Sequence, residues 1–364
     1  MPDQELINVE IDSNQCPCQL PKQPRKPLPE GVSPDRATII RRFGQIWVNG
    51  TELHYCFWDH TKHNCPKEWT AKNTESLKIV ERAFREWKEL GIGLEFIKVD
   101  DPYDAEIRIG FMEGDGNWSG VGTNILKARS NERTMNFAID FTQLNWLPFD
   151  TALHEIGHTL GFYHGHQIPK SKIIWNDEEV YRYYSAKGWS DSDIKTNILD
   201  KESENVLDLF PWDTNSVMHY RFKSTLISGP EPYNSTGISH TPYLSPLDKE
   251  IVRKLYPPLS SQNYIPLKAY RSYSAILQSG EQLAFTIKPD HSREFTFQTF
   301  GKVDTVLVLF EKDGDSHRYL SGDDDAGYNR NAMITHKLFK DREYVLRLKM
   351  YYAMDRGETA VMMF

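Results

Sequence analysis

At 364 residues the chain has room for two domains that each bury a core. Its 43 basic and 51 acidic side chains give a net charge of −8 with no Lys/Arg block, which excludes nucleic acid or an anionic membrane surface as the main partner. No apolar run approaches the roughly 20 residues of a membrane helix, so no membrane span is expected.

Residues 1–32 are rich in Pro, Gln and Lys without apolar periodicity and read as a flexible leader. Its opening stretch, Met1 to Glu10, has neither the basic nor the apolar segment of a secretory signal. The first folded domain is expected over 33–258. Thr51 to Trp58 alternates as a strand, and Cys56 with Cys65 is a candidate disulfide closing a hairpin. Leu77, Val80, Phe84, Trp87 and Leu90 recur at helical spacing over 74–90, with Asn73 or Thr74 as N-cap and Gly91 as the stop. Leu94 to Val99 and Glu106 to Phe111 read as strands of one sheet, and 119–126 and 133–139 as further strands after a Gly-rich loop.

Residues 154–164 read His-Glu-Ile-Gly-His-Thr-Leu-Gly-Phe-Tyr-His. On a helix His154 and His158 project from one face and can share a metal. Gly161 lets the backbone leave the helix at positive φ, and the turn brings His164 round as a third ligand. Three nitrogens with one position left open are the hydrolytic form of a zinc site. Glu155 stands beside the first ligand, placed to hold a water as general base rather than to bind metal. Asp150 is the expected N-cap of this helix. His54, His60, His63, His240, His317 and His336 lack ligand spacing, whereas His166 is near enough to line a cleft.

Further along, 178–187 and 190–199 read as short surface helices. Ser245-Pro246-Leu247-Asp248 is a capping box with Pro at the first helical position, opening a helix through Leu255 that Pro257-Pro258 ends. Beyond it, 281–288, 294–300, 304–311, 343–351 and 358–364 alternate as β segments, predicting an all-β sandwich over 259–364. Asp323, Asp324 and Asp325 in one of its turns form a candidate calcium loop.

The extended zinc motif followed by Ser216-Val217-Met218-His219-Tyr220 resembles the metzincin peptidases, and Ser-x-Met-His-Tyr resembles their astacin branch. Ala105 to Gly110, Gly114 to Ser119, Thr134 to Phe137 and Leu244 to Asp248 add to the likeness, which covers residues 35–258. The resemblance implies an α+β zincin-like domain: a twisted mixed sheet and zinc helix over a lower subdomain that holds the Met-turn. It implies one catalytic Zn2+ and endopeptidase action on proteins or peptides outside the cell. Met218 would pack beneath the metal, and Tyr220 would stabilise the oxyanion. A sheet-edge strand would pair with substrate, and Gly120, Val121, Gly122, Thr123 and Asn124 are the candidates for it.

A thiolate from Cys16 or Cys18 could reach the zinc and enforce latency, as in other metzincins. Gly165 departs from the family, which usually carries Glu after the third His, so activation through a buried new N-terminus is not implied here. The C-terminal sandwich resembles the pre-peptidase C-terminal accessory domains, implying contact with matrix or carbohydrate. The alternative is a latent or degenerate peptidase scaffold that binds through this sandwich. An intact Glu155 beside three ligands argues against the degenerate scaffold, since a dead one has no need of a general base.

Overall fold

A computed structural model describes residues 46–138, 147–201, 211–259, 263–278, 280–314, 316–351 and 356–364. The leader, with Cys16 and Cys18, lies outside the described residues.

The upper half is a five-stranded sheet made of β1 (Glu52–Phe57), β2 (Glu95–Lys98), β3 (Ile107–Gly110), β4 (Trp118–Ser119) and β5 (Met135–Asn136). Their order is β2-β1-β3-β5-β4. β1 pairs in parallel with β2 and β3, and β3 in parallel with β5, while β4 runs antiparallel at the edge. The mixed sheet is as expected, but the strand over 119–126 is not there. Gly122–Lys127 is instead a 3-10 helix, entered through Gly122 at φ +49° and with the Ile125 side chain packed on Gly120. The expected edge strand Gly120–Asn124 therefore gives way to Trp118–Ser119.

The predicted helix forms as α1 (Thr74–Lys88), with the Asn73 side chain accepting from the Ser76 amide. Its apolar stripe buries Val80, Phe84 and Trp87 against α2 (Leu147–Thr159), and the Trp87 indole donates to the Leu153 carbonyl at 3.1 Å. Cys56 and Cys65 are free thiols rather than a disulfide. Cys56 is buried in β1 with its sulfur turned to the Phe57 and Asp100 carbonyls, and burial pushes its thiol up to about 11.

After the zinc helix come β6 (Ile174–Trp175) paired with β7 (Ile227–Gly229), α3 (Asp177–Ser185), α4 (Asp191–Ile194), α5 (Tyr233–Thr236) and α6 (Pro246–Leu255). α4 runs into a π-helical turn, Lys195–Leu199, so the single helix expected over 190–199 is broken in two. α6 opens with the predicted capping box between Ser245 and Asp248.

The C-terminal sandwich stacks two sheets. The first contains β8 (Tyr264–Pro266), β10 (Gln282–Ile287), β12 (Thr305–Asp313), β13 (Ser316–Asp323) and β15 (Glu343–Met350), and the second contains β9 (Ser272–Leu277), β11 (Arg293–Gly301), β14 (Met333–Leu338) and β16 (Gly357–Met363). Phe285, Phe295, Phe297, Leu309 and Leu346 fill the space between them. The Asp323 carboxylate accepts from the backbone amides of Ala326 and Met333, both at 2.8 Å. It is thus a turn cap, and the calcium expectation finds no support.

Residues 46–49 run between the two halves of the molecule. Trp47 donates its indole N–H to Thr159 at the end of the zinc helix (2.8 Å), and the Asn49 amide donates to Gln282 Oε1 (2.9 Å). Lys349 on β15 donates to the Ile46 carbonyl at 3.2 Å. Burial lowers this ammonium to about 8, against a weaker pull upward from Asp324. Between that value and the lysine's ordinary pKa of about 10.4 the unfolded chain holds a proton that the folded one has shed, so stability rises with pH. Relative to a Lys349→Met variant, the wild type should gain about 3 kcal/mol between pH 7 and 10.5, read by urea unfolding. Parallel pH profiles for the two proteins would refute this.

Candidate active site

The three histidines of the motif meet as the spacing predicts. His154 and His158 face the same way from α2, one turn apart. Gly161 takes φ +94°, which a side chain would resist, and the chain swings back to carry His164 into place. His158 Nε2 lies 3.1 Å from His154 Nε2 and 3.1 Å from His164 Nε2. Among the described residues this is the one group of three ligand side chains close enough to share an ion.

Each imidazole is oriented through its other nitrogen. Nδ1 of His154 donates to the Val217 carbonyl, Nδ1 of His158 to the Phe162 carbonyl, both at 2.8 Å, and Nδ1 of His164 to Gln167 Oε1 at 3.1 Å. Those oxygens can only accept, so every Nδ1 carries the proton and every Nε2 turns a lone pair toward the other two. Burial holds the rings neutral, pushing His154 down to about 4 and His158 and His164 well below their ordinary value. Three lone pairs converging in a buried site repel one another until a cation occupies the centre. Ligands about 2.1 Å from a tetrahedral zinc stand about 3.4 Å apart, close to the observed separations, so the donor set fits that ion.

Glu155 is buried beside the first ligand and contributes no ligand atom to the group. Met218 packs under the helix with its sulfur against Gly157, where a β-carbon has no room. The Tyr220 ring stands 4.4 Å from that of His164 and 6.0 Å from that of His154. His219 is structural, as expected: it accepts from the Trp212 indole at 3.2 Å and donates to the Tyr220 carbonyl. A β-carbon at Gly165 would come within 3.0 Å of the His219 ring, so the glutamate usual in the family could enter only by displacing that ring.

The peptidase family described as Astacin matches residues 54–256, more than half of the chain. The chain belongs to the astacin family. Among curated astacin relatives, zinc metalloproteinase dpy-31 of Teladorsagia circumcincta is 27% identical over 168 residues, 46% of this chain and 24% of that protein. Zinc metalloproteinase nas-36 of Haemonchus contortus is 29% identical over 186 residues, 48% of this chain and 27% of its own length. The chain thus spans about a quarter of the length of these relatives. The solved structure of myroilysin is 28% identical with a TM-score of 0.52, covering 59% of this chain and 97% of myroilysin.

Several residues of this astacin site were not singled out as site residues by any motif. Asp150 is not the N-cap but sits in the first turn of α2, ion-paired with Arg221 just after Tyr220. Asp248 accepts from Ser216 Oγ (2.6 Å) and the Val217 amide (3.0 Å), so the cap of α6 also clamps the Met-turn. His166 is fully buried against the Tyr220 ring, 4.5 Å away, rather than lining an open cleft. β4 is tied to the zinc helix by Ser119 Oγ, 3.0 Å from Thr159 Oγ1. Asp150 and Asp248 carried only helix-start signals and His166 only its nearness to the third ligand, and none of these pointed to the contacts they make here.

Proposed function

We propose that the chain is a zinc-dependent endopeptidase in which Glu155 serves as general base and Tyr220 as oxyanion donor. The observation that carries the reading is the convergence of three neutral imidazole lone pairs beside a buried carboxylate. Zinc bound there would polarise the scissile carbonyl and lower the pKa of a water. Glu155 would take a proton from that water and pass it to the leaving amine. The Tyr220 hydroxyl would donate to the oxygen that gains charge, a reading supported by its ring standing 4.4 Å from that of the ligand His164. Substrate would extend beside β4, which among the described residues is an edge strand paired with β5 alone.

Casein is a suitable probe because its unfolded chain can reach such an edge. Cleavage by the purified chain should stop with a zinc chelator and return when zinc is restored. A zinc-replete protein that leaves casein intact would overturn the reading.

A further inference from the structure

Gln167, three residues after the last ligand and 4% exposed, makes three hydrogen bonds with one amide group. Its Oε1 accepts from His164 Nδ1 at 3.1 Å, while its Nε2 donates to the Thr196 carbonyl at 2.8 Å and the Asp200 carbonyl at 3.1 Å. The two carbonyls can only accept, so they fix which end of the amide faces them and which faces the imidazole. Thr196 lies in the π-helical turn Lys195–Leu199 and Asp200 is its C-cap, within the last turn where helix carbonyls lack helical partners. The turn is closed by the Asp200 amide on the Lys195 carbonyl (2.8 Å) and by a Lys195–Asp200 ion pair. His166 Nε2 adds a second tie to it through the Asn197 carbonyl at 2.9 Å.

We propose that Gln167 is a positioning residue for the third zinc ligand, and that the turn Lys195–Asp200 is the backing that holds its amide in register. Among the described residues that oxygen is the partner that selects the His164 tautomer, and without it the ring can rotate its lone pair away from the site. The inference rests on the zinc reading above and deepens it.

The test is zinc affinity of the full chain, measured by competition with a chromophoric chelator, independent of activity. Gln167→Leu keeps the bulk and loses all three bonds, and should weaken zinc binding by about 10–100-fold, as for other partners that orient a ligand histidine. Gln167→Glu keeps an oxygen facing His164, and burial favours a proton on the other oxygen, leaving one donor for the Thr196 carbonyl. It should bind zinc within about threefold of wild type, well inside the loss expected for removing the orienting partner. The d–d spectrum of bound Co2+ should change in Gln167→Leu and be restored in Gln167→Glu. Wild-type affinity in a folded Gln167→Leu protein would overturn the proposal, as would equal weakening in both variants. A wild type that takes up no zinc defeats the metal reading itself, which keeps the two failures apart.

Discussion

Glu155→Gln is expected to lower the rate of casein cleavage by about 10³-fold, within the range for losing a positioned general base. Glutamine keeps the size and shape of the side chain but cannot accept a proton at neutral pH. The zinc content of the variant should stay at one per chain, because no ligand contact runs through residue 155. The three imidazoles take their orientation from Val217, Phe162 and Gln167 instead. Metal analysis beside a rate assay therefore separates loss of the base from loss of the ion. A zinc-loaded variant that keeps activity within tenfold of wild type would remove Glu155 from the mechanism.

How much of this was legible in the sequence depended on how far apart the partners lie along the chain. The zinc ligands were readable because helix geometry and one glycine turn bring them together within eleven residues, His154 to His164. Two of the groups that orient them are local, the Phe162 carbonyl four residues from His158 and Gln167 three from His164. But Val217 is 63 positions from His154, and the carbonyls that fix Gln167 are 29 and 33 positions from it. No local pattern encodes such a pairing. The sandwich shows a similar division. The five predicted strands are β10, β11, β12, β15 and β16, all interior to their sheets, while the missed β8, β9, β13 and β14 are the four edges. Interior strands are covered on both sides by neighbours and carry strong apolar alternation. An edge strand such as Ser316–Asp323 is mostly polar, as edges that must not pair with another chain tend to be. In the upper half, β5 falls inside the strand expected over 133–139 but spans only two residues, and β4 at the edge is as short, too short for a period to show.

Asp248→Ala should cost about 4 kcal/mol of folding stability, and it should cost zinc affinity as well. The carboxylate is 2% exposed and accepts from Ser216 Oγ and the amides of Val217 and Ser245. Burial raises its pKa, while the same donors pull it back down by favouring the charged form. Alanine leaves these three donors in place without an acceptor, and each buried group so stranded costs about 1–3 kcal/mol. Water entering the space recovers part of that, which sets the figure toward the lower end of the summed range. The effect then travels through one residue. The Val217 amide is held by Asp248, and the Val217 carbonyl orients His154. A Met-turn released from α6 lets that carbonyl wander, and a ligand histidine without its partner binds zinc about 10–100-fold more weakly. Urea unfolding of the metal-free protein reads the first cost, and chelator competition on the folded variant reads the second. Stability within 1 kcal/mol of wild type would mean the clamp is idle. A full stability loss with unchanged zinc affinity would mean that the Met-turn keeps its course without it.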